Sequence, residues 1–414
     1  MTHNTWLAPA VGPRVTGGVH WSDRPPGGAL VIGGDYRALG AVRSLGRRKI
    51  PVWVLTDEHL LAGLSRYARR HLPWPDAGEA ERVEYLRSLA GRHGLEGWVV
   101  FPSGDEAAAL IARNHATLAE CYRLTTPAWE TLRWAYDKRS TNQLARQTGV
   151  DTPWTFQPAS REQLATMDIN FPVLLKPAYK QSANAFTNAK AWRVEDRETL
   201  LARYDEARTL VDPDAIMLQG LIPGGGESQF SYAALCQGGQ VLASITARRT
   251  RQYPLEFGQA STFVESIEEP EVERLSRGLL GALCYDGLME VEFKLDRRDG
   301  RYKLLDLNPR IWGWHTLGGE AGVDFTYLQW LVACGRPVAE QRARPGVHWV
   351  RMTTDVAAVA AALRRGMLSV GDYVRSLRPP LALAIFAADD LGPSLLDGPL
   401  LARLAIKRRL ARRR

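Results

Sequence analysis

With 414 residues, 45% of them hydrophobic, the chain can bury two or three packed cores and is neither disordered nor fibrous. Its net charge of +8 is concentrated at one end: no acid follows Asp397, while Arg403, Lys407, Arg408, Arg409, Arg412, Arg413 and Arg414 supply seven positive charges, so the body is nearly neutral and no nucleic-acid-binding face is implied. Cys121, Cys236, Cys284 and Cys334 lie far apart without a Cys-x-x-Cys pair, which argues against a disulfide framework or structural zinc and suits a reducing, cytoplasmic compartment. The opening residues lack the charged-then-apolar order of a signal peptide, and no apolar run approaches the roughly 18 residues of a membrane span.

Residues 1–27, rich in Pro and Gly, predict a loose arm. Gly28–Gly33 reads as a strand, Tyr36 to Arg48 as a helix and Pro51–Leu55 as the next strand, a βαβ unit of a parallel sheet. Trp98–Phe101 is another buried strand, ending in Ser103-Gly104-Asp105-Glu106. Residues 28–130 therefore read as a doubly wound α/β domain, whose ligands bind at the carboxyl ends of strands. Asp105 and Glu106 stand at such an end, although acids at a helix start need no ligand. The Gly-x-Gly-x-x-Gly dinucleotide fingerprint is missing from Gly33–Gly40. Residues 131–345 read as an α+β region: a helix from Trp134 to Gly149 carrying Lys138, a strand Phe171–Pro177 delivering Lys176, a strand Ala215–Gln219 opening into Gly220–Glu227, then strands Phe230–Cys236 and Gln240–Arg248. In residues 346–414 the pattern predicts a buried strand at Leu381–Ala388 and helices at Val356–Arg365 and Leu400–Arg413.

The segment from Met289 to Asn308 has the most definite pattern. Met289, Val291 and Phe293 alternate with Glu290, Glu292 and Lys294, so the two sets face opposite sides of a strand. Arg297-Arg298-Asp299-Gly300 is turn chemistry, and Tyr302 to Asn308 returns with Leu305 and Leu307 on one face and Leu304, Asp306 and Asn308 on the other. A turn centred on Asp299 sets Glu292 against Asp306 and Glu290 against Asn308, with opposed side chains about 5 Å apart. Such a patch either holds a hard divalent cation, Mg²⁺ or Mn²⁺, or is a solvated polar face with Lys294 as counter-charge.

Asp306-Leu-Asn-Pro-Arg310, following Val291-Glu-Phe-Lys294, resembles the metal-binding hairpin of the ATP-grasp superfamily. The usual Glu-x-Asn-Pro-Arg has a glutamate where Asp306 stands. The resemblance covers roughly residues 130–330. The stretch from Ile311-Trp-Gly-Trp-His315 through Gly322-Val-Asp324 is most similar to a bacterial group of carboxylate–amine ligases that includes D-aspartate ligase. It implies a pre-ATP-grasp α/β domain followed by a two-lobed ATP-grasp domain, with ATP and Mg²⁺ (or Mn²⁺) as cofactors. Glu292, Asp306 and Asn308 would hold the metal. Lys138 and Lys176 would meet the phosphates, Gln219, Leu221 and Ile222 the adenine edge, and Glu227 the ribose. Lys180 or Ser182 would stand in for the family's glycine-bearing loop over the triphosphate, absent between Lys176 and Lys190. Arg249, Arg251 and Gln252 resemble anion-binding positions, and Arg251 and Arg310 are the candidate catalytic cations. Arg310 would hold an acyl phosphate or, on the plainer reading, pair with Glu290 or Glu292. Trp312, Trp314 and His315 line the acceptor pocket or pack in the core. The implied reaction joins a small carboxylate to an amine, amino acids among them, through an acyl phosphate. A small-molecule kinase and a nucleotide-binding module with a degenerate site are the alternatives.

Overall fold

The computed structural model describes residues 27–179, 184–189, 191–255 and 260–411. Residues 1–26, and with them most of the expected arm, lie outside the described residues, as do Lys180, Ser182 and Lys190. Strands β1 (Ala29–Ile32), β2 (Val52–Thr56), β3 (Ala68–Pro73), β4 (Val99–Pro102) and β5 (Arg123–Leu124) form a parallel sheet in the order β3-β2-β1-β4-β5. Alternate residues of β1 enter two different cores. Ala29 and Val31 meet the Tyr36–Arg47 helix, while Leu30 and Ile32 meet the helices Glu79–His93 and Asp105–Arg113. This two-sided burial is why the strand reads as a continuous apolar run. Asp35 ends the β1 turn as the helix cap, its Oδ1 accepting from the backbone N–H groups of Arg37 at 2.9 Å and Ala38 at 3.3 Å.

Two further sheets follow, the small one antiparallel and the large one antiparallel except for the parallel pairs β11–β15 and β16–β17, so the expected order of α/β then α+β holds. A small lobe contains β6 (Thr155–Phe156), β7 (Val173–Pro177), β8 (Trp192–Val194) and β9 (Ile216–Gly220), in the order β6-β9-β7-β8. A large sheet contains β10 (Gln229–Gln237), β11 (Gln240–Tyr253), β12 (Ala260–Ile267), β13 (Gly287–Asp296), β14 (Arg301–Asn308), β15 (Gln341–Arg342), β16 (His348–Val350) and β17 (Leu381–Leu383). Its order is β14-β13-β10-β11-β12-β16-β17, with β15 beside β11. Because β16 and β17 complete this sheet, the chain after residue 345 is built into the large lobe and is not an appendage to it. Strand β17 stops at Leu383, and Phe386 is 55% exposed, so the expected buried strand through Ala388 is cut short.

Where the sequence pattern reads one helix from Trp134 to Gly149, the structure has two, Trp129–Tyr136 and Lys138–Gln147. Asp137 separates them. Its backbone is extended and its carboxylate accepts from the Arg139 N–H at 2.9 Å, a local bond that outcompetes helix continuation. The break makes Lys138 the first residue of the second helix, anchored by its N–H to the Ala178 carbonyl of the small lobe at 3.0 Å.

One core joins the first domain, the large sheet and the C-terminal segment: Leu39 and Val42 share it with Ala243, Trp312 and Ile385. Close approach is required at Gly40, where a Cβ would stand 2.5 Å from the His315 ring. Beside this core lies a buried ion pair. Arg43 Nε donates to Asp390 Oδ2 at 2.9 Å, and its other nitrogens donate to the carbonyls of Ile385 at 2.6 Å and Asp390 at 2.9 Å. Asp390 also accepts from Ser65 Oγ at 2.6 Å and the Arg66 N–H at 2.9 Å. Removing the carboxylate strands a buried guanidinium, so Asp390→Ala is expected to lose about 3–5 kcal/mol of unfolding free energy in urea titration.

Candidate functional site

Strands β13 and β14 pair with Glu290 opposite Asn308 and Glu292 opposite Asp306, which is the register that alternation and the turn predict. The route to it differs. Asp296 pairs with Arg301, so the turn lies one step closer to β13 than a centre at Asp299 requires, and Gly300 closes it at φ 70°. A bulge at Leu305, between the pairs Glu292–Asp306 and Phe293–Leu304, restores the register. It also places Leu304 in the core with Val291, Phe293 and Leu307, where strict alternation puts Leu305.

The acids on this face are each met by a donor from another part of the chain. Lys138 Nζ lies 2.8 Å from Asp306 Oδ1, and Arg249 Nη2 lies 3.6 Å from Glu292 Oε2. Asn308 donates through Nδ2 to Glu292 at 2.9 Å and to Glu290 at 3.2 Å, while Trp314 Nε1 donates to Glu290 at 2.8 Å. Arg310 turns away from the glutamates: its Nε lies 2.6 Å from Asp105 of the first domain, and its Nη2 donates to Asn308 Oδ1 at 2.9 Å. Lys294 donates to the Gly224 carbonyl at 2.7 Å, so it is not the counter-charge of this patch. Lys138, Lys176, Glu290, Glu292, Asp306, Asn308, Arg310 and Arg249 line one cavity of about 260 Å³, which Tyr36, Arg37 and Asp105 close from the first domain.

Burial, and then the charge of Glu292, pushes the Glu290 carboxyl up to about 7 despite Arg249, Arg310 and the Trp314 bond. Burial, aided by Arg37, lowers Arg310 to about 10, still cationic at neutral pH. The donors here are hard carboxylate and amide oxygens with no thiol, which fits Mg²⁺. Among the described residues no three His, Cys, Asp or Glu side chains form a metal cage. The set suits an ion that takes one or two protein carboxylates and completes its shell with phosphate oxygens and water.

The remaining sequence candidates divide. Lys176 reaches Gln219, donating to its Oε1 at 3.2 Å. Gln219 itself is buried on β9, with Leu221 and Ile222 following it, and none of the three lines the cavity. Glu227 also stands off the lining and accepts from the Gly225 N–H at 3.0 Å. Arg251 is elsewhere. A bulge at Thr250 sets Arg249 opposite Val264 and Arg251 opposite Phe263, so the two arginines face opposite sides of β11. Arg251 binds fully buried Asp355 through Nε at 2.9 Å and Nη2 at 2.8 Å and lies 4.0 Å over the Phe263 ring. Gln252 is likewise buried and donates to the Leu255 carbonyl. Trp312, Trp314 and His315 are all buried, and of the three Trp314 also lines the cavity. Sequence reasoning missed Tyr36 and Arg37, although they follow the carboxyl end of β1, where doubly wound sheets place their ligands.

The raised Glu290 carboxyl has a pH signature. Folded protein retains a proton that the unfolded chain releases near the ordinary value of 4.5, so this group's contribution to stability is full below that pH and is lost as pH rises through about 7. With divalent cations chelated, Glu290→Gln is expected to flatten the urea midpoint across that window and to gain on wild type above it. Parallel profiles would contradict the assignment.

No protein-family model and no curated protein matches the sequence. Solved structures do match. The L-amino acid ligase from Bacillus licheniformis is 18% identical with a TM-score of 0.58, covering 74% of each chain. The biotin carboxylase domain of Hydrogenobacter thermophilus 2-oxoglutarate carboxylase, solved with MgADP, ADP and bicarbonate, is 16% identical with a TM-score of 0.61, covering 77% of this chain and 73% of that one. N5-carboxyaminoimidazole ribonucleotide synthetase in complex with ADP is 16% identical with a TM-score of 0.59, covering 82% of this chain and 86% of that one. All are ATP-grasp enzymes, and the chain has the ATP-grasp fold.

Proposed function

We propose that the protein is an ATP- and Mg²⁺-dependent carboxylate–amine ligase working in the cytoplasm. The observation that carries this reading is the single cavity in which Lys138, Lys176 and Arg310 face Glu292, Asp306 and Asn308. A triphosphate and a substrate carboxylate are both anions, and their approach requires cations fixed in advance. Lys138 and Lys176 supply two such charges, one on the large lobe and one on β7 of the small lobe. Glu292 and Asp306, with the Asn308 amide oxygen, would hold Mg²⁺, whose charge would offset that of the phosphates when bound.

In this scheme a carboxylate oxygen attacks the γ-phosphorus and the bond to the β-phosphate oxygen breaks, releasing ADP. An amine nitrogen then attacks the acyl carbon, loses a proton, and phosphate departs with the carbon–oxygen bond electrons. Arg310, held by Asp105 and Asn308, would stabilise the oxyanion of that second step. Gln219, Leu221, Ile222 and Glu227 would meet adenosine beyond the cavity, beside Lys176. Similarity in fold to an L-amino acid ligase makes amino acids the first substrates to test.

The decisive assay measures ADP and phosphate release across panels of amino acids as carboxylate and amine. Turnover should require both partners and Mg²⁺, and a stable phosphorylated product with no amine requirement would make the protein a kinase instead. Asp306→Ala is expected to lower turnover by about 10²–10³-fold, the loss typical of one electrostatic contact to a developing charge. A second pair of variants separates the two arginines. Arg249→Ala should reduce turnover while shifting the urea midpoint less than Arg251→Ala does, because Glu292 stays partly exposed. Arg251→Ala should cost about 3–5 kcal/mol of stability, because it leaves Asp355 buried without its partner.

A further inference from the structure

The C-terminal helix Leu391–Ala411 turns two apolar stripes in different directions. One packs on the body: Leu400 lies against the core shared by the first domain and large sheet, and Asp397 on that side is 3% exposed. The other faces solvent. Leu391 is 50% exposed, Leu395 73% and Ile406 61%. At 3.6 residues per turn these three fall within an arc of about 60°. Arg403 and Lys407, also exposed, lie along one side of the arc with Leu396, 41% exposed, between them in projection, and Lys407 Nζ is 3.9 Å from Glu58. The bare composition hides this arrangement, because both sets of leucines and alanines are interleaved along the chain.

An exposed apolar stripe with cations along one side calls for a surface that is both apolar and anionic. We propose that this helix lies in the plane of an anionic lipid surface, with Leu391, Leu395 and Ile406 at the boundary of headgroups and acyl chains and Arg403 and Lys407 against the lipid phosphates. The charge is complementary: no acid follows Asp397, and seven basic residues do. Nucleic acid would use those charges but leave the stripe in water. A second copy of the helix would cover the stripe but oppose two strongly basic segments. Among the described residues no helix is long and apolar enough to cross a membrane, so the association is interfacial. This proposal goes beyond the ligase reading and does not depend on it.

The test is flotation of the full chain with vesicles of phosphatidylcholine, with or without phosphatidylglycerol, at low and high salt. Binding is expected only with the anionic lipid and should weaken in high salt. Each basic residue near the surface contributes about five-fold in affinity, so Arg403→Ala with Lys407→Ala should weaken binding about 25-fold. Leu395→Ser with Ile406→Ser should weaken it at least about ten-fold, because burial of the stripe is lost. These side chains are exposed, so near-ultraviolet circular dichroism and ADP release without vesicles should match wild type; the latter reports on the reaction separately. Absence of binding to the anionic vesicles, or equal binding to phosphatidylcholine alone, overturns the proposal. So does unaltered binding by the Leu395/Ile406 double variant, which would mark the tail as a general polyanion binder. A wild-type dimer that ignores vesicles and dissociates in that variant would assign the stripe to self-association instead.

Discussion

Four polar side chains on two adjacent strands, Glu290, Glu292, Asp306 and Asn308, are held within one small cavity, and three of them are acids. At that spacing like charges repel, so the arrangement persists only because donors arrive from separate parts of the chain. Lys138 comes from the start of a helix made by the break at Asp137. Arg249 comes from β11, Trp314 from the loop after β14, and Arg310 is drawn across to Asp105 of the first domain. The cavity is therefore a meeting point for three regions, and its charge balance ties their positions together.

That requirement gives the first domain a structural part in the site. Its Tyr36–Arg47 helix shares a core with Trp312 and the large sheet, and Gly40 lets it approach His315 closely. Arg37 and Asp105, at the carboxyl ends of β1 and β4, reach the cavity as a result. The Arg43–Asp390 pair, about one turn further along the same helix, fastens it to the C-terminal segment. The first helix is thus held at two points before any ligand is considered.

Much of this was legible in the sequence where one rule dominates. The βαβ order, the strand delivering Lys176 and the facing of Glu292 with Asp306 all follow from periodicity and turn residues. Legibility fails where an added residue breaks the period. The bulge at Leu305 exchanged Leu304 and Leu305 between faces yet left the acids in register, because it compensated the displaced turn. The bulge at Thr250 had the opposite effect, sending Arg251 to the far side of β11 while Arg249 kept the cavity. Neither bulge leaves a mark in composition. Asp137 did leave one, as a helix-capping residue, but the apolar pattern on both sides masked it. Contacts between distant segments, such as Arg310 with Asp105, are invisible to any local rule.

The apolar clusters also divide the molecule unevenly. The first domain, large sheet and C-terminal segment share a continuous core, whereas the small lobe keeps its own, built from residues such as Leu175, Phe186, Leu200 and Leu218. Backbone bonds such as Lys138 N–H to the Ala178 carbonyl, Gly220 N–H to the Trp154 carbonyl and Leu304 N–H to the Asp151 carbonyl join the elements around this seam. Lys138 stands on the large side of the seam and Lys176 on the small side. A hinge there would alter the gap between the two ammonium groups without exposing either core to water. The grip on a polyanion would then be set by a movement whose energetic cost is mainly a few peptide hydrogen bonds, not the unpacking of a domain.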